Sequence, residues 1–272
     1  AFLEQDVTAD QLLFASGRRD GAQDRRAGIS EEFGRREEVF MSHATATVLP
    51  SVVVAVPEPE IVWTIVVAGG SGARFGARKQ YERLGTQRML DRSVSVADAA
   101  SDDVVVVVPA DDLATESSAF AHVVAGGVTR SASVRAGLAA VPSAASIVCV
   151  HDAARPFASP AMFDRVIDAV RSGADGAVPA VPVTDTIKVI DVQGRVTATP
   201  ARDTLVAVQT PQAFRAEVLR RAHAHGAEGT DDAALVEQLG GTVVVVAGDP
   251  DNRKVTHPDD LTWARARIEA GS

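Results

Sequence analysis

The stretch "IVWTIVVAGGSGARFGARKQ", residues 61–80, is an apolar run that breaks into glycines and ends in two spaced cations. Residues 61–67 form a short, almost continuously apolar segment, which predicts a buried strand of a parallel sheet. The glycine-rich turn at 69–72 allows a ligand to approach the backbone, and successive N–H groups in such a turn make an anion-binding concavity. Arg74 and Lys79 bring two positive charges to the same turn. The stretch therefore predicts a phosphate-binding loop that follows a central strand.

This loop differs from the two most familiar phosphate-binding motifs. A dinucleotide fingerprint needs Gly-x-Gly-x-x-Gly, whereas the spacing here is Gly70-x-Gly72-x-x-x-Gly76. A Walker loop needs Gly-Lys followed by Ser or Thr, which the loop lacks. Taken alone, the loop also fits an ordinary glycine turn with solvated charges, because glycine loops are weak signals.

The composition limits the classes of protein that the chain can belong to. Its 272 residues, 46% of them hydrophobic, can bury a full core in one or two domains. The net charge of −9 argues against a nucleic-acid partner, and no apolar stretch reaches the roughly 20 residues of a membrane span. The single cysteine, Cys149, excludes an internal disulfide framework and favours a buried thiol in a reducing compartment. We therefore expect a cytoplasmic protein without nucleic-acid or membrane partners.

Residues 1–60 differ in character from the rest of the chain. They combine charge clusters with few periodic apolar positions, and they lack the features of a secretory signal. We expect a flexible or non-native leader here, with Met41 as a candidate start. The folded domain is expected at 61–272.

From residue 61 onward, short apolar strands alternate with helical segments. This order predicts an α/β fold: a single Rossmann-like domain with a mostly parallel sheet covered by helices. Ligands bind at the carboxyl ends of the strands in such sheets. The predicted strands are 61–67, 104–109, 147–150, 176–181 and 242–247. The predicted helices are 90–99, 111–121, 131–140, 160–171, 217–225, 231–239 and 259–269.

One segment interrupts the alternation of strands and helices. Residues 186–190 and 195–199 alternate in polarity on either side of a turn at 192–194, which predicts a β-hairpin. We expect this hairpin to protrude from the domain as an arm at about 183–205. Such an arm would either bind a partner subunit in a dimer or act as a lid.

Polar clusters follow several predicted strands or glycine turns. A second glycine turn, "GGVTRSASV" at 126–134, enters a helix, and "HDAARP" at 151–156 places Asp152 at the end of a strand. "VTDTIK" at 183–188 and "DPDNRKVT" at 249–256 follow two further strands. These clusters lie where an α/β sheet binds its ligand.

Together with "QTPQAF" at 209–214 and "TDDAALVE" at 230–237, these motifs resemble those of the 2-C-methyl-D-erythritol 4-phosphate cytidylyltransferases. The resemblance runs from about residue 61 to residue 268. It implies transfer of CMP from CTP to 2-C-methyl-D-erythritol 4-phosphate, giving 4-diphosphocytidyl-2-C-methyl-D-erythritol and pyrophosphate in the non-mevalonate isoprenoid pathway. The chain departs from the family pattern at Gly69, where an alanine is usual, and at Arg78, where a proline is common. The segment between Arg74 and Lys79 is also about two residues shorter than usual, which leaves open whether Lys79 keeps its role.

The resemblance implies a role for each matching residue. The triphosphate of CTP would be wrapped by Ala68, Gly69, Gly70, Ser71 and Gly72 with the cations Arg74 and Lys79. The cytosine and ribose would be held by Gly127, Arg130 and Ser133. Asp152 would bind the ribose region and the magnesium-bound phosphates, and Asp251 is the second, weaker candidate ligand of magnesium.

The second substrate, a sugar-alcohol phosphate, has its own set of matching positions. These are Thr186, Lys188, Thr210 and Thr230, together with the catalytic cations Arg202 and Lys254. Arg202 matches an arginine that crosses a homodimer to reach the neighbouring site. The expected catalytic residues are thus Arg74, Lys79, Arg202 and Lys254.

Two other functions remain open from the sequence. A ribitol-5-phosphate cytidylyltransferase shares the fold and the CTP site, and a non-catalytic nucleotide-binding scaffold could use the same fold. The presence of Asp152, Arg202 and Lys254 favours an enzyme over a scaffold. We further expect His151 to be structural, and His223 and His225 to be exposed helix residues.

Overall fold

The computed structural model describes residues 60–70, 75, 78–117, 119–120 and 122–271. The predicted leader therefore lies outside the described residues, apart from Glu60. The strands are β1 (Val62–Val67), β2 (Arg83–Leu84), β3 (Gln87–Arg88), β4 (Asp103–Val108), β5 (His122–Ala125), β6 (Ile147–Asp152), β7 (Gly176–Pro182), β8 (Val189–Ile190), β9 (Val196–Ala198), β10 (Val206–Val208), β11 (Gln212–Arg215) and β12 (Val243–Ala247). The α-helices are α1 (Met89–Asp98), α2 (Leu113–Glu116), α3 (Arg130–Ala140), α4 (Pro160–Arg171), α5 (Ala216–Ala222), α6 (Asp232–Gln238) and α7 (Pro258–Ala270).

The main sheet has the strand order β10-β7-β11-β6-β1-β4-β5, and β12 also pairs with β7. Strand β1 lies in the centre, parallel to both β4 and β6, and β4 pairs in parallel with β5. Strands β10 and β11 run antiparallel to their neighbours. The sheet is thus mixed and mostly parallel, as the alternation of strands and helices predicted.

Helices cover both faces of this sheet. On one face, Leu90 of α1 and Phe163 of α4 pack in a cluster with Cys149 of β6. On the other face, α3, α5 and α6 pack on the side chains that point the opposite way, among them Ile65. Cys149 is buried in the core, as expected. This burial raises the pKa of its thiol to about 12.

The register of the central strands decides where the ligand loops lie. Val67 at the end of β1 pairs with Asp152 at the end of β6, and with Val107 near the end of β4. Helix α3 approaches β1 closely, since a Cβ on Gly137 would lie 2.5 Å from Ile65 Cγ2. The glycine loop after β1, the carboxylate of Asp152 and the start of α3 therefore meet at one edge of the sheet.

Each of the five predicted strands is present, whereas β2, β3, β5, β10 and β11 were not predicted. The predicted helix at 111–121 is reduced to a 3₁₀ turn at Ala110–Asp112 and the short helix α2. Strand β5 has four residues and, within the described part of the chain, pairs with β4 alone. Strands β10 and β11 gain their strand character from antiparallel pairing with β7 and β6. Such pairings depend on tertiary context, which local patterns do not report.

Strands β8 and β9 form a separate antiparallel ribbon where the hairpin was predicted. The observed strands are shorter than predicted, and Val189, Ile190 and Val196 on them are exposed. The function of this ribbon as a dimerisation arm stays a prediction. Among the described residues, no helix is long and apolar enough to cross a membrane.

Candidate active site

A cavity of about 450 Å³ opens at the carboxyl ends of β1 and β6. This is the edge of an α/β sheet at which ligands bind. The residues that line it are Val67, Ala68, Gly69, Gly70, Lys79, Gln80, Gly127, Val128, Thr129, Arg130, Ser133, Asp152, Ala153, Ala154 and Lys254. The fold therefore brings most of the predicted nucleotide-binding positions into one cavity.

Two glycine turns converge on Ser133 at one side of the cavity. A Cβ on Gly69 would lie 3.1 Å from Ser133 Oγ, and a Cβ on Gly126 would lie 2.9 Å from the same atom. The Ser133 hydroxyl accepts a hydrogen bond from the Gly127 N–H at 3.2 Å and donates to the Thr129 carbonyl at 2.9 Å. Because an alanine at position 69 would crowd Ser133, the glycine in place of the family's alanine suits this packing.

The N-terminus of α3 lies at the same side of the cavity. Thr129 caps this eleven-residue helix, because its Oγ1 accepts a hydrogen bond from the Ala132 N–H at 3.0 Å. The first helical residue, Arg130, lines the cavity. A helix N-terminus with an arginine beside it favours an anionic ligand.

Asp152 lies between two cations. Lys254 Nζ is 2.6 Å from its Oδ2, and Arg130 Nε is 3.4 Å from its Oδ1. Burial raises the pKa of Asp152, but the charges of Arg130 and Lys254 lower that pKa by more, to well below its ordinary value. Asp152 is therefore a buried carboxylate that stays ionised at neutral pH.

Thr210 supports Asp152 from behind. Its Oγ1 accepts a hydrogen bond from the Asp152 N–H at 3.0 Å and lies 3.2 Å from His151 Nδ1. Thr210 and His151 are both buried, and burial lowers the pKa of His151 to about 4, which keeps the ring neutral at pH 7. Thr210, a predicted substrate contact, is thus buried and does not line the cavity, and it fixes the backbone of Asp152 instead. His151 has a structural environment.

The segment that carries Lys254 is anchored by a buried asparagine. Asn252 Nδ2 donates to the Thr210 carbonyl at 2.9 Å, and the Asn252 carbonyl accepts from Arg155 Nη1 at 2.8 Å. Lys79 Nζ donates to the Val255 carbonyl at 2.6 Å. Two lysines from opposite ends of the domain therefore reach the same cavity.

Arg78, next to Lys79, has a different environment. Its Nη2 lies 3.0 Å from Asp111 Oδ2, and its Nη1 pairs with Asp112. Arg78 is not among the residues that line the cavity, whereas Lys79 is. Lys79 thus faces the cavity, whereas Arg78 is paired with Asp111 and Asp112 outside the cavity lining.

Other predicted site residues lie elsewhere or outside the described part. Thr186, Lys188, Arg202 and Thr230 are exposed and do not line the cavity. Asp251 lies 2.9 Å from Arg267 Nε and is likewise not part of the lining. Three further predicted residues fall outside the described residues; these are Ser71, Gly72 and Arg74.

Two buried residues that connect to Arg130, His223 and Asp232, were not identified as part of the site from the sequence. The prediction that His223 is exposed was wrong: the residue is 4% exposed, because the packing of α5 against α6 covers it. Its Nε2 lies 2.9 Å from Asp232 Oδ1, and Asp232 Oδ2 lies 2.8 Å from Arg130 Nη1. The available signal was the acidic pair in "TDDAALVE", of which Asp231 caps α6 through the Ala234 N–H at 2.9 Å.

Comparisons with known proteins point to one family. The sequence model of the 2-C-methyl-D-erythritol 4-phosphate cytidylyltransferase family matches residues 62–270. The protein of that name from Rhodococcus jostii is 47% identical over 220 residues, which cover 78% of this chain and 96% of the relative. The protein of that name from Thermus thermophilus, known from a crystal structure, is 33% identical in sequence. Its structure aligns with a TM-score of 0.66 over 78% of this chain and 100% of the Thermus chain. The crystal structure of 4-diphosphocytidyl-2C-methyl-D-erythritol synthase from Anaerococcus prevotii is 29% identical with a TM-score of 0.69, covering 77% of this chain and 96% of its own.

The positions of Lys79 and Arg78 lead to a prediction for a matched pair of variants. We expect Lys79→Ala to weaken the binding of CTP about tenfold or more, the usual effect of losing one charge-assisted hydrogen bond. Arg78→Ala should change CTP binding less than threefold, because its charge is already paired with Asp111 and Asp112. Isothermal titration calorimetry of both variants measures the difference. A larger loss for Arg78→Ala would show that the two cations have exchanged roles.

Proposed function

This chain belongs to the 2-C-methyl-D-erythritol 4-phosphate cytidylyltransferase family, and we propose that it transfers CMP from CTP to 2-C-methyl-D-erythritol 4-phosphate. The observation that carries the proposal is the group Arg130, Asp152 and Lys254 in a cavity formed by two glycine turns. A cation-rich cavity at a helix N-terminus suits a triphosphate. Asp152 is the one carboxylate among the described residues of the lining, and a magnesium ion bound to phosphates needs only one or two protein carboxylates.

The proposed reaction is a displacement at the α-phosphorus of CTP. A phosphate oxygen of the second substrate forms a bond to the α-phosphorus, and the bond from that phosphorus to the bridging oxygen of pyrophosphate breaks. The electron pair leaves with pyrophosphate. Because a phosphate monoester is already anionic at pH 7, the nucleophile needs no general base. The buried, neutral His151 therefore has no proton to accept in this step.

The barrier comes from repulsion between two anions and from charge that builds on the phosphoryl oxygens. Positioning and electrostatic stabilisation are the main contributions of an enzyme to such transfers. We assign Lys79 and the glycine N–H groups to the triphosphate, and Arg130 to the nucleotide near Asp152. Lys254, held by Asp152 at 2.6 Å, would stabilise charge where the two phosphates meet. Arg74 would add a further cation to the triphosphate.

The residues of the cavity fit a magnesium ion that is held mainly by the phosphates of the substrate. Among the described residues, no group of three His, Cys, Asp or Glu side chains could hold a metal, and Asp152 is the one carboxylate in the cavity lining. Magnesium is usually held by one or two carboxylates together with substrate phosphates and water, so a single aspartate suffices. When bound, the ion would neutralise negative charge on the phosphates of CTP. Asp152 is the proposed protein ligand, since Asp251 does not line the cavity.

We further propose a homodimer in which the ribbon completes the neighbouring site. Val189, Ile190, Val192 and Val196 on the ribbon are exposed, and so are Val206 and Val208 on the edge strand β10. An exposed apolar patch of this kind is typical of an interaction surface. Lys188 Nζ donates to Thr199 Oγ1 at 2.8 Å, and Arg202 Nη1 donates to the Thr184 carbonyl at 2.8 Å. These hydrogen bonds hold both cations next to the ribbon. Thr186, Lys188 and Arg202 would then hold the sugar-alcohol phosphate in trans, with Thr230 near the helix α6.

The activity itself can be tested by a coupled assay of pyrophosphate release. We expect release from CTP with 2-C-methyl-D-erythritol 4-phosphate, and a kcat/KM at least 100-fold lower with ribitol 5-phosphate. Equal or faster reaction with ribitol 5-phosphate would identify the other cytidylyltransferase. Tight CTP binding without pyrophosphate release with either alcohol phosphate would identify a binding scaffold.

The role of Asp152 leads to a prediction for an isosteric variant. Asp152→Asn removes the negative charge that holds Lys254, and it also removes the proposed protein ligand of magnesium. We therefore expect kcat to fall about 100-fold or more. The melting temperature should also fall, because Arg130 and Lys254 lose the buried charge that compensates them. The variant should nevertheless stay folded at the assay temperature, so the loss of turnover exceeds any loss of folded protein. The comparison uses steady-state kinetics at saturating magnesium and thermal unfolding. Asp168→Asn, at an exposed carboxylate paired with Arg171, is the matched control and should keep full activity. Full turnover of Asp152→Asn would remove the residue from the mechanism.

The proposed dimer leads to a prediction about mixed variants. Arg202→Ala and Lys79→Ala should each abolish activity as homodimers, because each removes one cation from both sites. A mixed dimer would contain one site with both substitutions and one site with neither, so activity should partly return after subunit exchange. Activity is measured after mixing, and exchange is verified by mass spectrometry. Verified exchange without recovered activity would mean that Arg202 does not act in trans.

A further inference from the structure

A chain of buried charged and polar side chains runs from α5 to the cavity. His223 Nε2 lies 2.9 Å from Asp232 Oδ1, and Asp232 Oδ2 lies 2.8 Å from Arg130 Nη1. Arg130 Nε then lies 3.4 Å from Asp152, whose other oxygen is 2.6 Å from Lys254. The side chains of His223 and Asp232 are only 2% and 1% exposed. The chain thus joins two residues that the proposed reaction does not use, His223 and Asp232, to three that it does.

Asp232 and Asp152 contact different nitrogens of the Arg130 guanidinium. The contact with Asp232 is short, whereas the contact with Asp152 is longer by 0.6 Å (3.4 − 2.8). The third nitrogen, Nη2, takes part in neither contact. Because an arginine forms its strongest pair by gripping one carboxylate with two N–H groups, the natural alternative for Arg130 is a two-pronged pair with Asp152. Asp232 opposes this alternative through its ion pair with Nη1.

His223 stabilises Asp232 in the orientation that Arg130 needs. A carboxylate can only accept hydrogen bonds, so His223 Nε2 must carry the proton that points at Asp232 Oδ1. Buried carboxylates require partners of this kind, because an unpaired charge in the interior is costly. With one oxygen occupied by His223, the other oxygen of Asp232 faces Arg130.

We infer that Asp232, oriented by His223, is a positioning residue that keeps Arg130 available to the nucleotide. Without it, the guanidinium turns to Asp152 and forms a closed pair with it. This both withdraws Arg130 from the ligand and competes with Lys254 for the same carboxylate. The inference rests on the proposed function, because it takes CTP as the ligand of Arg130.

Simple electrostatics gives the opposite expectation, which makes the inference testable. Asp232→Asn removes a negative charge close to the cavity, so a purely electrostatic role predicts tighter binding of the anionic CTP. A positioning role predicts weaker binding, because the arginine is no longer held in place. The direction of the change therefore distinguishes the two roles.

The experiment compares Asp232→Asn with the wild-type protein by calorimetry and steady-state kinetics. We expect the Kd and the KM for CTP to rise about tenfold or more, the effect of losing one charged hydrogen bond, while the KM for 2-C-methyl-D-erythritol 4-phosphate changes less than threefold. Glu217→Gln is the matched control. Glu217 is an exposed carboxylate on α5 that pairs with Arg221 at 3.4 Å, and it does not line the cavity. It should leave all three values within twofold of wild type.

A double-mutant cycle separates positioning from a general structural effect. In an Arg130→Met background, Asp232→Asn should change the Kd for CTP less than twofold, because its effect passes through Arg130. An equal loss in both backgrounds would overturn the inference, and so would unchanged or tighter CTP binding by Asp232→Asn alone. His223→Phe, which keeps the bulk of the ring without a hydrogen bond, is the second variant. It should weaken CTP binding about threefold with the same dependence on Arg130, and it decides the question if Asp232→Asn does not fold.

Failure of this inference and failure of the proposed function give different results. If the wild-type protein does not bind CTP, the proposed function is wrong. If it binds CTP and releases pyrophosphate, while the Asp232→Asn effect is absent or independent of Arg130, only the positioning role is wrong.

Discussion

The arrangement of the cavity depends on one buried carboxylate, that of Asp152. A carboxylate that is 7% exposed must be compensated, and here two cations from distant parts of the chain compensate it. Arg130 comes from the start of α3, and Lys254 comes from the loop after β12. Pairing with Asp152 therefore fixes three segments relative to one another. Thr210 and Asn252 complete this arrangement by hydrogen-bonding the backbone around it.

The central part of the fold could be predicted from the sequence because its strands are buried on both faces. Residues 61–67 and 104–109 are nearly continuous apolar runs, and such runs indicate parallel strands covered by helices. The outer strands carry no comparable signal. Gln212–Arg215 contains one large apolar residue, Phe214, and becomes a strand only by pairing between β6 and β7. What was missed is therefore what depends on a partner distant in sequence.

The candidate site follows the same division. Asp152 and the glycine loop were predictable because each directly follows a strand whose carboxyl end must face the ligand. The environment of His223 was not predictable, because its burial comes from the contact between α5 and α6. The distinction between Arg78 and Lys79 was also beyond the sequence, since it depends on where Asp111 and Asp112 lie after a different strand. Residue types and local spacing identify a site, but the partners of each side chain require the tertiary structure.

The negative charge of the protein and the anionic nature of the proposed ligands are compatible for a physical reason. Charges separated by more than about 8 to 10 Å across solvent are largely screened at physiological ionic strength, so a net charge of −9 acts weakly in the cavity. Within it, Lys79, Arg130 and Lys254 outnumber the one carboxylate in the described lining. The partial positive charge at the start of α3 adds to them. Chemistry that joins two anions needs this local excess of positive charge more than it needs a base. A neutral, buried histidine beside the central carboxylate is therefore consistent with a site that works by compensating charge, with no proton to transfer.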